Sequence, residues 1–505
     1  MRTRSTVLNA ITSVVSMLIS SALSLVAVRT VLVHLGSDYN GLNSTITQFV
    51  SILMLVESGF TLAALVRLYA PYGKKDYAEV NQILSKTKVT LRRIGWAMLV
   101  LGLVGACLYA LVIDTNIEYF TTVLLFSFSI AATAFNFAFV YKYRLVFQVT
   151  QREYIIHTIN MLQYILMYGG MILAVITTRS IIVARLVVLI ANIVGGILIA
   201  VVAKKIFPFI SFSEECSTIR IDGTKDLFVS KLVGVMYNSL TVFYMSVFVG
   251  TIQTSVYTVY NSVVALMSNF INTALLAPQN SLGQIINTEK EKAKQVVLEY
   301  EYTAILIATI IFSTTTALII PFVRLYTLGV NDTNYIQPLI GLLLVAIAVL
   351  QIIHVPSGRC IELSGDFKAV KNIQLITFCL LAGLSLVGAL LSGLKGLLMA
   401  KLLTNIILAT MEIVYAHKNI LNMQISRYIN LLLPNIVFAS TVSGLEFFAL
   451  RDMGMSWFLF FILGVSLLVI NSILVIGIGC IFCKKEINSV WCRYSNIVYQ
   501  IIRKV

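Results

Sequence analysis

The sequence predicts an all-α integral membrane protein with about fourteen transmembrane helices. The 505 residues are 58% hydrophobic and only 12% charged, whereas soluble domains are about a quarter charged. Apolar runs of about 20 residues, the length that a helix needs to cross a bilayer, follow one another along the chain. Polar and apolar residues do not alternate within these runs as they do in the strands of a membrane β-barrel. Because only helices and closed barrels satisfy the backbone hydrogen bonds in lipid, the runs are predicted to be helices.

Each apolar run is taken as one helix, and the first of them begins soon after Arg4. That run imitates a signal peptide, but it is too long and lacks a cleavage site, so we expect it to remain as a helix. In chain order, the predicted helices span residues 8–33, 42–67, 94–113, 119–141, 154–177, 180–203, 226–249, 254–283, 301–323, 336–356, 370–391, 394–416, 428–449 and 455–483.

The basic residues predict the orientation of these helices. The chain carries 37 Lys and Arg against 22 Asp and Glu, and most of the cations fall in loops or helix ends on the side of the N-terminus. Because cations collect on the cytoplasmic side, both termini are predicted to be cytoplasmic, and the net charge of +15 indicates topology rather than nucleic-acid binding. Four cations fall on the far side: Arg179, Arg324, Lys395 and Arg451.

An internal repeat predicts two lobes. Tyr39 and Asn43 recur as Tyr257 and Asn261, with one offset of 218 residues and a basic stretch after each long helix. Six helices per repeat return the chain to its starting side, so the pseudo-twofold axis should follow the membrane normal, as in some transporters. We therefore predict an N-lobe at 1–210, a C-lobe at 211–420, and two further helices with a cytoplasmic tail at 421–505.

Polar side chains form stripes on three of the predicted helices. At 100° per residue, those on helix 254–283 fall within about 60° of arc. Such a stripe indicates either hydrogen bonds between helices or the wall of a hydrated cavity, and we favour the cavity. The residues are Tyr257, Asn261, Ser268, Asn272 and Gln279 on that helix, His157, Asn160, Tyr164 and Tyr168 on helix 154–177, and Asn43 in a weaker stripe on helix 42–67.

Three cations lie inside predicted helices: Arg29, Arg185 and Lys401. A cation at the bilayer centre costs about 2.5–3.5 kcal/mol, so each needs an explanation. All three fall in the outer half, where snorkelling or ion pairing is one explanation and a cavity for an anionic head group is the other. Lys231 opens helix 226–249 at the inner face and is either an anion site or a topological anchor.

Glu57 lies in the middle of helix 42–67 and is interpreted as a gate, an ion-coupling site or a structural partner of a cation. Catalytic signatures do not occur: the chain has no phosphate-binding loop, and its four His residues are too scattered for a metal cluster. A membrane glycosyltransferase or polymerase would need catalytic carboxylates and a large outer loop. We therefore expect a protein without enzymatic activity, cofactor or metal, with Na⁺ or H⁺ as a possible coupling cation.

Short blocks along the whole chain resemble one family, the polysaccharide (Wzx-type) flippases of the multidrug/oligosaccharidyl-lipid/polysaccharide (MOP) exporter superfamily. The first half contributes Leu35 and Gly36, Tyr39 to Asn43, Glu57 to Gly59, Leu68 and Tyr69, and Lys75 to Tyr77. The second half contributes Lys231 to Gly234, Tyr237 to Ser239, Tyr257 to Asn261, and Gly365 to Lys368.

This resemblance implies a MATE-like fold, with two six-helix lobes in a V around a central cavity and two extra helices. It implies a monomer in the bacterial inner membrane that moves undecaprenyl-pyrophosphate-linked oligosaccharide by alternating access, for capsule, O-antigen or exopolysaccharide assembly. A polymerase and other assembly proteins would be its partners. Relatives of the same fold, namely cation-coupled drug exporters and lipid II flippases, remain alternatives.

Overall fold

A computed structural model describes residues 2–54, 58–212, 225–276, 282–283, 285–286 and 289–492 of the chain. Regular structure in these ranges is helical throughout. Contacts divide the chain into two compact units. Unit 1 comprises Met1–Val256 with Gly329–Thr333, and unit 2 comprises Tyr257–Leu328 with Asn334–Val505.

Unit 1 contains nine helices among its described residues, and the tenth begins within it. They are α1 (Arg2–Leu35), α2 (Ser37–Leu53), α3 (Ser58–Lys74), α4 (Tyr77–Ala110), α5 (Tyr119–Phe135), α6 (Tyr141–Val149), α7 (Glu153–Thr178), α8 (Ile181–Ile206), α9 (Lys225–Phe248) and the start of α10 (Thr251–Leu276). A π-helical turn, Asn136–Val140, joins α5 to α6. The helix pairs α1 with α7 and α7 with α8 pack extensively, so α7 is central to this unit.

Unit 2 is built around one long helix. Its described helices are the rest of α10, α11 (Lys290–Tyr326), α12 (Pro338–Ile353), α13 (Val355–Leu363), α14 (Phe367–Tyr415), α15 (Ser426–Leu450) and α16 (Trp457–Phe482). A π-helical turn, Ala416–Ile420, continues α14. Helices α12, α15 and α16 pack on α11, whose apolar stretch is 72% buried, so α11 forms the centre of this unit.

The predicted membrane spans are present in the described residues. Eleven helices are long and apolar enough to cross a membrane. One of these, Phe367–Ile420, is interrupted by the non-helical backbone of Gly393 and contains two of the predicted helices. The shorter apolar helix Leu232–Phe248 and the pair α2 and α3, on either side of residues 55–57, occupy the remaining predicted positions. The prediction of an all-helical membrane protein with about fourteen spans is confirmed.

Several predicted helix boundaries are wrong at the ends that carry the basic residues. Helix α4 begins at Tyr77 rather than at 94, and α11 begins at Lys290 rather than at 301. Hydropathy detects only the part of a helix that lipid covers, whereas the backbone stays helical where polar residues meet water. Asp76 supports the longer α4 as its cap, since its side chain accepts a hydrogen bond from the Glu79 amide.

One end of unit 1 contains two similar contacts. Gly36 and Gly250 each precede a helix with positive φ, 96° and 95°, a conformation that favours glycine. A Cβ at Gly36 would lie 3.2 Å from the Asp332 carboxylate, and one at Gly250 would lie 3.0 Å from that of Asp114. Asp114 and Asp332 are separated by 218 residues, the offset of the sequence repeat. Contacts group α9 with unit 1. The lobe boundaries at 210 and 420 stay predictions.

Candidate functional site

Arg185 lies near the start of α8, deep in unit 1. Ser180 begins this helix, and its hydroxyl accepts a hydrogen bond from the Val183 amide at 3.5 Å. Arg185 follows on the buried face, with only 9% of its surface exposed. A side chain that snorkels to the interface would be exposed, so the snorkelling explanation for this cation does not fit the structure.

The guanidinium of Arg185 has only neutral hydrogen-bond partners among the described residues. It donates to the Ser129 hydroxyl on α5 at 3.3 Å and to the side-chain oxygen of Asn43 on α2. Among the described residues, its Nε has no hydrogen-bond partner, and no carboxylate lies within 4 Å of the guanidinium. Ion pairing therefore does not explain this cation in the described part of the chain. A buried charge without a counter-charge is costly and is characteristic of a site for an anion.

A hydrogen-bond network at the start of α2 positions Asn43. The Asp38 carboxylate accepts hydrogen bonds from Thr115, from the Asn116 amide and from Thr251, at the start of α10. Gly41 allows a close approach to the same place, since a Cβ there would lie 1.7 Å from the Thr251 carbonyl oxygen. These contacts fix α2 one turn before Asn43 and hold its side chain against Arg185.

One face of α7 presents the second polar stripe. His157, Asn160, Tyr164 and Tyr168 recur at helical spacing and are all half-buried. The Tyr164 and Tyr168 ring centroids are 6.3 Å apart, and Tyr168 lies close enough to Arg185 to interact with it electrostatically. The Tyr168 end of the predicted stripe is therefore within electrostatic range of the buried cation.

A neighbouring face of α7 has a packing role. Gln163 is buried there and donates a hydrogen bond to the Asn192 side chain on α8 at 3.0 Å. A Cβ at Gly195 would lie 2.3 Å from the Gln163 side-chain oxygen, so the two helices approach closely at this point. Hydrogen bonding between helices therefore explains Gln163, whereas the stripe of His157, Asn160, Tyr164 and Tyr168 is half-buried.

Sequence reasoning missed Arg144, a second cation beside this stripe. The helix predicted at 119–141 continues through the π-helical turn into α6 and brings Arg144 alongside α7. Its charge acts on both His157 and Tyr164, and its Nε is buried without a described hydrogen-bond partner. A hydropathy profile cannot reveal this residue, because the basic end of a helix resembles a loop.

The predicted stripe on α10 falls in unit 2. Tyr257 is buried, and Asn261, Ser268 and Asn272 are half-buried. The Ser268 hydroxyl donates to the Val264 carbonyl oxygen of its own helix at 2.8 Å. Gln279 lies outside the described residues. The role of this stripe in a cavity stays a prediction.

Two of the other predicted charges, Arg29 and Lys401, lie within the part of the chain that the structure describes. Arg29 is half-buried on α1, the helix that packs along α7. Lys401, on α14 in unit 2, is 5% exposed and has no carboxylate within 4 Å among the described residues. Glu57 and the side chain of Lys231 lie outside the described part of the chain. No group of three His, Cys, Asp or Glu suited to a metal occurs in the described ranges.

A groove of about 550 Å³ opens in unit 2, where α11 and α15 begin and α16 ends. Its charged lining residues balance in sign, with three cations and three carboxylates: Lys294, Arg427, Lys485, Glu291, Glu299 and Glu486. Cys483 also lines the groove, and burial raises the pKa of its thiol. This balance gives no preference for an anion, unlike the surroundings of Arg185.

No known protein-family model matches this chain, and no curated protein matches its sequence. Solved structures match its fold. The lipid II flippase MurJ in an inward closed conformation shares 14% identity with a TM-score of 0.65, over 94% of this chain and 99% of its own. An inward-facing multidrug resistance MATE family transporter of the MOP superfamily shares 13% identity with a TM-score of 0.64, over 81% of this chain and 98% of its own.

A MOP superfamily transporter from Pyrococcus furiosus, for which a binding pocket of reverse polarity suggests a different function, also matches. It shares 13% identity with a TM-score of 0.55, over 82% of this chain and 96% of its own. These neighbours are transporters and flippases rather than enzymes. The chain therefore has the all-helical, MATE-like membrane fold of the MOP superfamily transporters.

Proposed function

We propose that this chain is a flippase that moves an undecaprenyl-pyrophosphate-linked oligosaccharide from the inner to the outer leaflet of the bacterial cytoplasmic membrane. The polymer assembled from it would be a capsule, an O-antigen or an exopolysaccharide. The observation that carries the proposal is the buried guanidinium of Arg185, whose described partners are all neutral. A pyrophosphate would supply the missing negative charge, and the planar guanidinium suits its oxygens.

The residues around Arg185 suit the rest of such a substrate. Asn160 and His157 can exchange hydrogen bonds with sugar hydroxyls, and the Tyr164 ring offers a face on which a sugar can pack. Arg144 adds a second positive charge beside this stripe. The lipid tail would remain in the bilayer. The fold shared with a lipid II flippase supports this class of substrate through architecture alone.

A cation-coupled drug exporter is the second candidate, because its fold is also shared. A cationic drug needs buried carboxylates, and among the described residues of unit 1 the buried charged side chain is that of Arg185. The charge in this unit thus favours an anionic substrate. The proposal includes cytoplasmic termini, a monomer that works beside a polymerase, no cofactor, and H⁺ or Na⁺ as a possible coupling cation.

Complementation tests the proposal with the variant Arg185→Ala, in a bacterial strain that lacks its own repeat-unit flippase. Loss of a charge-assisted contact should lower surface polymer by about tenfold or more and cause lipid-linked intermediates to accumulate. Arg451→Ala is the matched control, since the Arg451 side chain is 41% exposed and donates a hydrogen bond to the Asp452 carboxylate. Normal polymer from Arg185→Ala, at a normal amount of protein, would contradict the proposal.

A further inference from the structure

Unit 2 contains a fully buried acid and a fully buried histidine that face each other. Glu301 on α11 and His417 in the π-helical turn after α14 are both 0% exposed. Glu301 Oε2 and His417 Nε2 are 3.4 Å apart. Neither atom has another hydrogen-bond partner among the described residues.

The remaining hydrogen bonds of the pair determine where hydrogen atoms must lie. His417 Nδ1 is 3.0 Å from the Ile413 carbonyl oxygen, which can only accept, so Nδ1 carries a hydrogen. The Ser357 hydroxyl on α13 donates to Glu301 Oε1 at 2.6 Å. Neutral imidazole with its hydrogen on Nδ1 leaves a lone pair on Nε2, which would face a lone pair of the carboxylate. One further proton, on either Nε2 or Oε2, removes this conflict.

A second histidine–glutamate pair nearby does not require that proton. His354 Nδ1 lies 2.7 Å from Glu412 Oε2. Neutral His354 with its hydrogen on Nδ1 donates directly to an ionised Glu412. The two pairs therefore differ in proton content although they consist of the same residue types, and the second serves as an internal reference for the first.

The surroundings contain no other group that could neutralise Glu301 in the described part of unit 2. Cys360 on α13 and Tyr428 on α15 are buried beside the carboxylate, and both are uncharged at neutral pH. The Tyr428 hydroxyl donates to the Ile353 carbonyl oxygen, and its ring packs edge-on against His417 at 5.7 Å. On adjoining elements, His354 pairs with Glu412, Arg359 pairs with Glu362, and Lys418 is exposed. Two further charged side chains are buried: Glu299 on α11, which accepts hydrogen bonds from Gln295 and Ser489, and Lys401 on α14.

We propose that Glu301 and His417 form a proton-binding site that joins α11 to the end of α14 while it is occupied. Loss of the proton leaves a buried carboxylate opposite a lone pair, which favours separation of the turn Ala416–Ile420 from α11 and entry of water. The site lies at the predicted cytoplasmic end of unit 2, so it would respond to cytoplasmic pH. It holds one proton shared by the pair, whichever of the two atoms carries it.

Amide hydrogen exchange of residues 416–421, the turn that carries His417, tests this proposal in the full-length protein in lipid nanodiscs, between about pH 6 and about pH 9. The variant Glu301→Gln supplies a hydrogen-bond donor to Nε2 without any proton uptake. The exchange rate of wild type divided by that of the variant cancels the intrinsic effect of pH. We expect this ratio to be near one at low pH and to rise by about tenfold at high pH.

A second variant and a control complete the experiment. His417→Gln places an amide donor against the carboxylate, so its exchange at high pH should not rise beyond the intrinsic effect of pH. This variant replaces Glu301→Gln as the reference if Glu301→Gln fails to fold. In Glu412→Gln, the side-chain amide oxygen still accepts a hydrogen bond from His354, so amide exchange of this control should depend on pH as in wild type. Two results would overturn the proposal. One is a ratio of wild type to Glu301→Gln that does not change with pH, and the other is loss of the high-pH rise in Glu412→Gln as well. No substrate is needed, so the result is independent of the proposed transport activity.

Discussion

Arg185 in unit 1 and Glu301 in unit 2 are both buried charged side chains, and their partners differ in kind. Arg185 donates to a hydroxyl and an amide oxygen, which leave its charge uncompensated. Glu301 faces a histidine, which compensates its charge when one proton is bound. Burial alone therefore does not define a function: a cation among neutral acceptors suits an anionic ligand, whereas an acid opposite a histidine suits a proton.

The largest expected effect comes from giving Arg185 an internal counter-charge. Ser129→Asp would place a carboxylate where the hydroxyl now lies, 3.3 Å from the guanidinium. The new ion pair should compete with an anionic substrate and lower polymer production by about tenfold or more. Surface polymer in the complementation assay measures this. Ser129→Asn, of similar size but neutral, should retain most of the activity, and equal losses in both variants would refute the explanation.

A smaller effect is expected where the backbone of α2 approaches α10. Gly41→Ala would place a Cβ 1.7 Å from the Thr251 carbonyl oxygen, so α2 must shift and carry Asn43 away from Arg185. Such overpacking lowers the free energy of unfolding by about 3 kcal/mol, measured as a fall in thermal stability in detergent. Gly73→Ala is the control, since nothing lies within 4 Å of a Cβ there. Equal stability of the two variants would contradict the close approach.

The smallest effect is expected from removing one neutral acceptor. Asn43→Ala leaves part of the Arg185 guanidinium without a hydrogen bond and should lower the free energy of unfolding by about 1–2 kcal/mol. Thermal stability in the presence of pyrophosphate sharpens the comparison, because an anion should restore more stability to this variant than to wild type. Thr47→Ala is the control, as its hydroxyl donates to a carbonyl oxygen of its own helix at 2.9 Å. Destabilisation of both variants to the same extent would argue against the Asn43 contact.

The sequence predicted Arg185 as a cation that needs an explanation, and it predicted the stripe of His157, Asn160 and Tyr164 beside it. It did not predict Arg144, because the helix that carries it continues past the end of its apolar run. It also did not predict the pairing of Glu301 with His417. Those residues lie on different helices far apart in the chain, and periodicity reports only neighbours on one helix.

The membrane class, the approximate number of spans and the all-helical fold follow from the sequence alone. Lipid imposes length and polarity on every segment separately, so each span can be read without reference to the others. The partners of each buried charge follow only from the tertiary structure. Whether Arg185 meets an amide or a carboxylate, and whether His417 or His354 needs an added proton, depends on which helices pack together and at what rotation.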